Sequence, residues 1–523
     1  MLGSSNGRSA LPILNNSLRG WRAWPGLVAR FLVVQKGTTI HRTFEFRVAI
    51  VFVCFGILLA RHVGAYAGSS DASGYMNDAR LLASGDLHPA QRVVEGVPPE
   101  ALPFMGYIPL GFLPLDHGKM YPTYPIGLPI LLLMGSEVCG WITGPNVVMW
   151  LHAMACLWVA FLLFRELQLG PEMSLLGVIL LGSSALFLFM SLQTMSDVPA
   201  TLWATLAVLG CLKAKRRMRW AVLAGFCFGY GILVRPTSIL MIFPILAFFP
   251  WSPRRGILFC LGGLPIAGFL GVMNSVLYGK VVTTGYGDLS ALFGTRYIPP
   301  TLHNYVSSLP IELTPLVILA LMFPFLGNGL RLSVRIGICV WILVFFAFYS
   351  AYYCTHEAWW YLRFVLPTYP ALIACILFAL NRMGVICSSF DAIGWILLVA
   401  LIAVWNRHWV LKLTALDIGY GEKIYPETCE YIDRWIPPNS VILCMQESGA
   451  ILYYTKNVIV RWDSISRENL PMLVDSCRKA RRGLYMVLFP FEEADALKKF
   501  DRARWRQTAK VRDVSIWTLA EFQ

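Results

Sequence analysis

Two acidic residues stand at the ends of apolar segments, where a carboxylate could act on a substrate. Asp71 opens the stretch Asp71-Ala-Ser-Gly-Tyr75 soon after the first apolar run, and Asp197 lies in the turn Ser196-Asp197-Val-Pro199 before another one. A positioned carboxylate can remove the proton from an attacking hydroxyl group. Because Asp is also a common helix N-cap, an ordinary capping role remains open for both residues.

Two arginines mark places where a phosphate could bind. Arg235, before Pro-Thr-Ser, and Arg363, after Trp-Trp-Tyr-Leu, each lie at the boundary between an apolar segment and a loop. A guanidinium group binds phosphate through two parallel hydrogen bonds. The alternative is that each arginine extends from a helix end to a lipid head group.

Three further residues near Asp71 are candidates for binding substrate. Tyr75 follows Asp71 by about one helical turn, whereas Lys119 and Tyr124 lie in a turn and in the Tyr/Pro-rich run that follows it. Lysine could hold a phosphate, and the tyrosines could donate hydrogen bonds. Tyrosines at a membrane interface also form ordinary aromatic belts, and that interpretation stays open here.

The pair His356-Glu357 is also kept as a candidate for substrate binding. It resembles the start of the zinc-protease motif, but Trp360 stands where that motif needs its second histidine. The sequence contains neither the phosphate-binding G-x-x-x-x-G-K-[ST] motif nor G-x-G-x-x-G. Nucleotide-driven chemistry therefore has no support in the sequence.

The composition shows that these residues must be positioned by a membrane protein. Hydrophobic residues make up 57% of the 523 positions, charged residues only 14%, and the mean hydropathy is +0.59. Soluble domains carry roughly a quarter charged residues. The net charge of +14 does not indicate a nucleic-acid partner, because cytoplasmic loops of membrane proteins collect Lys and Arg. We predict a polytopic α-helical membrane protein.

The distribution of Lys and Arg predicts the topology. If the interrupted segment Pro125–Trp141 does not cross the membrane and the N-terminus is cytoplasmic, basic loops such as Lys213–Arg219 all fall on the cytoplasmic side. We therefore predict about 11 transmembrane helices and an extracytoplasmic C-terminus. The predicted spans are 48–66, 145–164, 174–191, 197–213, 220–234, 237–250, 256–277, 309–327, 336–353, 364–380 and 392–405.

Three parts of the chain follow from this topology. Residues 1–47 form a cytoplasmic tail, and residues 48–405 form the transmembrane domain with a large first outer loop at 67–144. In that loop, the helical spacing of apolar residues after Asp71 predicts an amphipathic helix at the membrane surface. Residues 419–523 alternate strand and helix patterns, which predicts a small extracytoplasmic α/β domain.

In this order, the segments resemble the GT-C superfamily of membrane glycosyltransferases. The resemblance is strongest to the polyprenyl-phosphate-sugar branch, which includes protein mannosyltransferase-like enzymes, aminoarabinose transferases and lipopolysaccharide core galacturonosyltransferases. It covers residues 45–405 and, for some members, the C-terminal domain. One departure is Ala72, where many members have a second acidic residue. The matching positions are Asp71, Tyr75, Ala79 and Gly85; Tyr121–Pro129; Ser196–Ala200; Arg235–Ser238; and Arg363–Pro370.

The resemblance implies a function and roles for the residues. The donor would be a polyprenyl-phosphate sugar, and the acceptor an extracytoplasmic glycan, lipid or protein, at a site facing away from the cytoplasm of a bacterial inner membrane. Asp71 would be the general base, and Arg235 and Arg363, with Lys119, would hold the leaving phosphate. Asp197 would orient the acceptor or, as in metal-using relatives, hold a divalent cation; no soluble cofactor is needed.

Other classes of protein remain as alternatives. A transporter or flippase of lipid-linked sugars would require ionisable residues near mid-membrane and repeat symmetry between halves, and the sequence shows neither. A lipid-linked oligosaccharide ligase or polymerase would also be outward-facing, but without the C-terminal domain. A non-catalytic envelope-assembly protein could keep the fold without activity. Sugar transfer by the purified protein distinguishes the enzyme from this last alternative.

Overall fold

The computed structural model describes residues 40–326, 330–382 and 392–522. Most of the predicted cytoplasmic tail, residues 1–39, lies outside the described residues. The described chain consists of a helical bundle, an outer segment between the first and third helices, and a C-terminal part built on a mixed sheet.

The helical part is a sequence of apolar helices, several of which are interrupted by short 3₁₀ segments. Among the described residues, five helices are long and apolar enough to cross a membrane, or up to seven if each sharply bent pair is one span. The count of 11 spans and their orientation therefore stay predictions. The helices are α1 Ile40–His62, α2 Ser70–Ser84, α3 Gly127–Glu166, α4 Pro171–Gly182, α5 Ala185–Ser191, α6 Asp197–Ala214, α7 Trp220–Val234, α8 Ile242–Phe248, α9 Pro253–Tyr278, α10 Ile298–Leu313, α11 Phe323–Leu326, α12 Leu332–Ser350, α13 Tyr369–Arg382 and α14 Ala392–Lys412. The 3₁₀ segments are Pro99–Ala101, Pro236–Met241, Ser290–Leu292, Thr295–Tyr297, Pro315–Met322 and Trp359–Thr368.

Helix α3 reverses direction at Gly140, whose φ of 80° is a backbone conformation that favours glycine. A Cβ atom on Gly144 would lie only 2.5 Å from the carbonyl oxygen of Gly135, so the chain on the two sides of the break is in close contact. The first arm, from Gly127 to the break, is only about 20 Å long at 1.5 Å per residue. An arm shorter than the roughly 30 Å hydrocarbon layer supports the prediction that Pro125–Trp141 does not cross, and that topology stays a prediction.

The outer helix α2 forms where the spacing of its apolar residues predicts it, but it does not lie on an open surface. All eight consecutive residues from Ala72 to Ala79 are buried, so neighbouring elements cover the middle of the helix on every side. A helix half-immersed at a membrane surface would leave one face exposed, and this part of the prediction is wrong. The hairpin β1 Phe112–Leu115 and β2 Lys119–Pro122, which the sequence did not reveal, follows in the same outer segment.

The C-terminal part is a five-stranded mixed sheet in the order β4-β3-β5-β7-β6. Strands β3, β4 and β5 pair in parallel, and β7 pairs antiparallel with both β5 and β6. Alternate residues of β3 enter two apolar cores, one on each face of the sheet. The elements are α15 Ile418–Glu422, α16 Ile424–Trp435, β3 Val441–Cys444, α17 Ser448–Tyr454, β4 Val458–Arg461, the 3₁₀ segment Arg467–Asn469, α18 Leu470–Lys479, β5 Leu484–Leu488, α19 Pro490–Lys499, β6 Ala503–Val511 and β7 Val514–Phe522.

Candidate functional site

Two ion pairs bring together the four charged residues that stood out in the sequence. Arg363 Nη1 lies 2.8 Å from Asp71 Oδ2, and Arg235 forms the second pair with Asp197. Three of them are placed by the end of an element: Asp71 by the first turn of α2, Asp197 by the first residue of α6, and Arg235 by the break after α7. Arg363 lies in the middle of the 3₁₀ segment Trp359–Thr368. Residues more than a hundred positions apart thus meet at one place.

The two ion pairs belong to one site, because two contacts connect them. The hydroxyl group of Tyr75 donates to Ser196 Oγ at 2.9 Å, which links α2 to the residue just before Asp197. The guanidinium groups of Arg235 and Arg363 lie 5.3 and 5.2 Å from the ring centroid of Phe364. An aromatic face attracts cations, so Phe364 helps two like charges to lie near each other.

Aromatic residues surround the carboxylate of Asp71. The hydroxyl group of Tyr124 donates to Asp71 Oδ1 at 2.7 Å and lies 3.2 Å from Ser70 Oγ. The ring of Tyr124 packs against Tyr75 at 4.8 Å and against Tyr286 at 5.9 Å between centroids. Both oxygens of the carboxylate are therefore engaged, one by a phenol and one by a guanidinium group.

The capping alternative does not describe either carboxylate. The N-cap residues of α2 and α6 are Ser69 and Ser196, and neither helix start has a side-chain capping hydrogen bond. Asp71 and Asp197 bind arginine side chains instead. Their positions in the first helical turn still favour the negative charge, because the helix dipole is positive there.

The surroundings keep Asp71 ionised and the neighbouring phenols neutral. Burial alone would raise the pKa of Asp71, but Arg363, the hydrogen bond from Tyr124 and the more distant Arg235 outweigh it and hold the pKa below its usual value. Burial and the negative charge of Asp71 raise the pKa values of Tyr75 and Tyr124. At neutral pH the site therefore presents a carboxylate beside phenol donors.

An apolar groove of about 300 Å³ lies beside this site. It runs between α7 and α9, and its walls include Ile126, Leu233, Leu270 and Leu277. Two more of its residues adjoin the charged cluster: Pro236 directly follows Arg235, and Tyr286 contacts the ring of Tyr124. The outer surface of α9 is apolar and largely exposed, so the groove borders a surface suited to lipid.

Three predicted site residues lie apart from the ion pairs. Lys119 is in β2 with an exposed side chain, and its carbonyl oxygen accepts a hydrogen bond from Gln91. His356 stacks on Tyr297 with the ring centroids 5.9 Å apart, and Glu357 is exposed in the loop before the 3₁₀ segment that carries Arg363. The structure therefore groups Asp71, Tyr75, Tyr124, Asp197, Arg235 and Arg363, and leaves the roles of these three residues as predictions.

The divalent cation that the resemblance implies at Asp197 stays a prediction. Among residues 40–326, 330–382 and 392–522 there is no group of three or more His, Cys, Asp or Glu side chains that could hold a metal ion. Asp71 and Asp197 are each already paired with an arginine. A divalent cation would have to compete with two guanidinium groups for their oxygens.

Comparisons with known proteins show what the chain is similar to. Residues 139–273, which include Asp197 and Arg235, match the family described as dolichyl-phosphate-mannose-protein mannosyltransferase. No curated protein gives a significant sequence match to the chain.

Solved structures share the fold at low sequence identity. ArnT from Cupriavidus metallidurans in the apo state has a TM-score of 0.57 at 14% identity, and its complex with undecaprenyl phosphate has 0.54 at 13%; each comparison covers 90% of this chain and 97% of ArnT. The arabinofuranosyltransferase AftD from Mycobacteria has a TM-score of 0.53 at 11% identity, over 91% of this chain and 40% of AftD. With its apolar helices, the chain is therefore an integral membrane protein that shares its fold with ArnT and with the matching part of AftD, as the resemblance to the GT-C superfamily predicts.

Proposed function

We propose that this protein transfers a sugar from a polyprenyl-phosphate donor to a hydroxyl group of an extracytoplasmic acceptor. The acceptor class is a cell-envelope glycan, a lipid or a protein. The observation that carries the proposal is the pair of arginine–carboxylate contacts beside an apolar groove. An isoprenoid chain needs apolar walls, a phosphate needs cations, and a reacting hydroxyl group needs a carboxylate. A polyprenyl-phosphate sugar transferase needs these three environments next to one another.

The groove and the arginines fit the two ends of such a donor. Apolar walls suit an isoprenoid chain, because a chain that passes from lipid into the groove stays out of water. Beside the groove, Arg235 and Arg363 supply two guanidinium groups for one phosphate. The fold shared with ArnT, which has been solved bound to undecaprenyl phosphate, supports this choice of donor.

Binding of the phosphate would also activate the base. Arg363 contacts Asp71 and helps to keep its pKa low, which makes the carboxylate a weak base. A donor phosphate that binds Arg363 takes over part of that positive charge. The pKa of Asp71 then rises toward its ordinary value, and the carboxylate accepts a proton more readily.

Transfer proceeds by displacement at the anomeric carbon. The acceptor oxygen attacks this carbon while its proton passes to the carboxylate of Asp71. The bond between the anomeric carbon and the phosphate oxygen breaks, and its electron pair stays on the phosphate. Arg235 and Arg363 stabilise the negative charge that develops there. Asp197 holds Arg235 in place, and this scheme needs no metal ion.

Transport of a lipid-linked sugar is the main alternative from another class. Substrate pathways in transporters place ionisable residues near the bilayer midplane. Asp197 begins its helix and Arg235 follows the end of another, positions that favour chemistry at one face over passage between faces.

The test is turnover by purified protein in lipid nanodiscs, supplied with synthetic polyprenyl-phosphate sugars and a panel of acceptors. Release of polyprenyl phosphate and gain of sugar by an acceptor are measured together. We expect Asp71→Asn to lose about 10²–10⁴-fold in rate, whereas Asp116→Asn, at an exposed position between β1 and β2, serves as the matched control and keeps its rate. Full activity of a folded Asp71→Asn variant would overturn the role of Asp71. Movement of intact donor across proteoliposomes without turnover would favour the transporter.

A further inference from the structure

The chain just before α2 is held by the C-terminal part of the protein. Glu422, the last residue of α15, accepts a hydrogen bond from the backbone N–H of Ser69 at 3.0 Å. The hydroxyl group of Tyr454 accepts one from the N–H of Ala67 at the same distance. Ser69 is the N-cap of the helix that carries Asp71. A residue some 350 positions away therefore bonds the first peptide group of the helix that presents the proposed base.

Glu422 fills a role that helices usually supply from their own first turn. In a capping box, a Glu or Gln at the third helical position bonds the N–H of the N-cap residue. That position in α2 is Ala72, which has no acceptor. Without Glu422, the N–H of Ser69 would be an unpaired donor at a partly buried helix start, and such groups are costly.

The approach of Glu422 is close and depends on a missing side chain. A Cβ atom on Gly68 would lie 1.9 Å from Glu422 Oε2, so only glycine lets the carboxylate reach the N–H of Ser69. Glu422 is itself buried. The contact is therefore tightly packed, and its loss would leave both a cavity and a free donor.

Other C-terminal contacts hold α2 further along, but not at Asp71. Asn77 donates to the carbonyl oxygen of Gly449 at 2.9 Å, and Arg80 donates to that of Tyr453 at 2.8 Å. These bonds fix the middle of the helix. Compared with these two bonds, the bond from Ser69 to Glu422 lies much nearer to Asp71, only two residues away in the chain.

We infer that Glu422 is a positioning residue for the proposed general base: it fixes the start of α2 and so holds the carboxylate of Asp71 where it meets Arg363 and Tyr124. The inference rests on the proposed function, and it gives the C-terminal domain a role in the reaction. Misplacement of a reacting group by about 1 Å costs on the order of a hundredfold in rate. A shift at the helix start is thus large enough to matter for turnover.

Glutamine is the neutral mimic of Glu422. Burial raises the pKa of Glu422 to about 7, the hydrogen bond from Ser69 opposes that rise, and the charge of Asp71 adds to it. The other titratable groups coupled to Glu422 are Tyr425 and Glu447. Protonated or not, Glu422 keeps an oxygen that accepts from Ser69, and Gln keeps an equivalent oxygen.

The experiment compares Glu422→Ala, Glu422→Gln and the control Glu427→Ala. Glu427 lies close by in α16 and pairs with Arg512, within the C-terminal part. We expect Glu422→Ala to lower kcat about tenfold with KM for the donor within about twofold. Glu422→Gln should restore kcat to nearly the wild-type value. Glu427→Ala should leave kcat unchanged at an equal amount of folded protein.

Hydrogen exchange gives a readout that does not depend on catalysis. The amides of residues 67–76 should exchange faster in Glu422→Ala, and at the wild-type rate in Glu422→Gln and Glu427→Ala. Unchanged exchange in Glu422→Ala, or no rescue of kcat by Gln, would overturn the positioning role. A wild-type protein that does not turn over the donor would instead overturn the proposed function, so the two failures are distinguishable.

Discussion

The two ion pairs of the site differ in how far they are removed from solvent. The side chain of Asp197 is 2% exposed and that of its partner Arg235 is 13% exposed, whereas Asp71 and Arg363 are 28% and 17% exposed. Asp197 begins a helix of the bundle, whereas Asp71 sits on the outer helix α2. Chemically similar pairs thus occupy different environments a short distance apart.

This difference indicates different roles. A buried pair gains little net stability, but losing one partner leaves an uncompensated charge, so such a pair behaves as a fixed unit. A partly exposed pair can exchange its partner for a ligand at low cost. Asp197 and Arg235 therefore form the framework of the site. Asp71 and Arg363 are the pair that substrates can open.

The largest expected effect on stability tests the buried pair of Asp197 and Arg235, the framework pair. Arg235→Ala leaves Asp197 buried without its partner, which costs about 3–5 kcal/mol. Thermal unfolding of the detergent-solubilised protein, followed by circular dichroism, should show a large fall in Tm. The double variant Asp197→Asn/Arg235→Gln carries neither charge and should regain part of the loss. A single variant as stable as wild type would show that this pair is not the framework.

The next effect tests the partly exposed pair of Asp71 and Arg363, the open pair. Arg363→Ala removes a charge-assisted contact to the donor phosphate, worth ~1.5–3 kcal/mol, or about tenfold to a hundredfold. We expect this loss in kcat/KM for the donor, with a smaller fall in Tm than in Arg235→Ala. Arg363→Lys keeps the charge without the bidentate geometry, so its kcat/KM should lie between those of wild type and Arg363→Ala. A fall in Tm as large as for Arg235→Ala, with normal donor kinetics, would reverse the assignment of the two pairs.

A smaller effect concerns how the open pair is tuned. Burial raises the pKa of Asp71, and Tyr124 is one of the groups that lower it. Tyr124→Phe removes that hydrogen bond, so the pKa of Asp71 rises. Because the proposed catalysis requires the ionised carboxylate, the acid limb of the pH–rate profile should move to higher pH. The rate above neutral pH should change little.

The control for this variant is Tyr121→Phe, because Tyr121 packs on Tyr278 and not on Asp71. Its pH–rate profile should match that of wild type. An acid limb that stays in place in Tyr124→Phe would mean that the limb reports a group other than Asp71.

The sequence points to the charged residues of the site because charge is rare in this chain. With only 14% charged residues, each Asp or Arg at the end of an apolar segment stands out. The pairing was not predictable, since Asp71 and Arg363 are 292 positions apart. Phe364 and Tyr286 were missed because aromatic residues make up 13% of the chain and carry no signal of their own.

The same reasoning explains which elements of the fold could be predicted from the sequence and which could not. The apolar strands β3 and β5 are buried and read as continuous hydrophobic runs, which made them predictable. Strand β6 is at the edge of the sheet with mostly exposed residues such as Arg504 and Arg506, so its sequence resembles a polar loop. The cover over α2 was not predictable because it comes from Gly449 and Tyr453, in the distant C-terminal part.

The smallest expected effect concerns Lys119, a rare basic residue in the outer loop that the sequence suggested as a phosphate ligand. Its side chain is exposed in β2, and the phosphate site that we propose is formed by Arg235 and Arg363, which pair with Asp197 and Asp71. An exposed charge outside the site contributes about 0–1 kcal/mol to an interaction. We therefore expect Lys119→Ala to change kcat/KM for the donor by no more than about fivefold, and this loss should decline as salt is raised. A loss as large as that of Arg363→Ala would show that β1 and β2 move toward the ion pairs when the donor binds, and that the open pair is completed by a third cation.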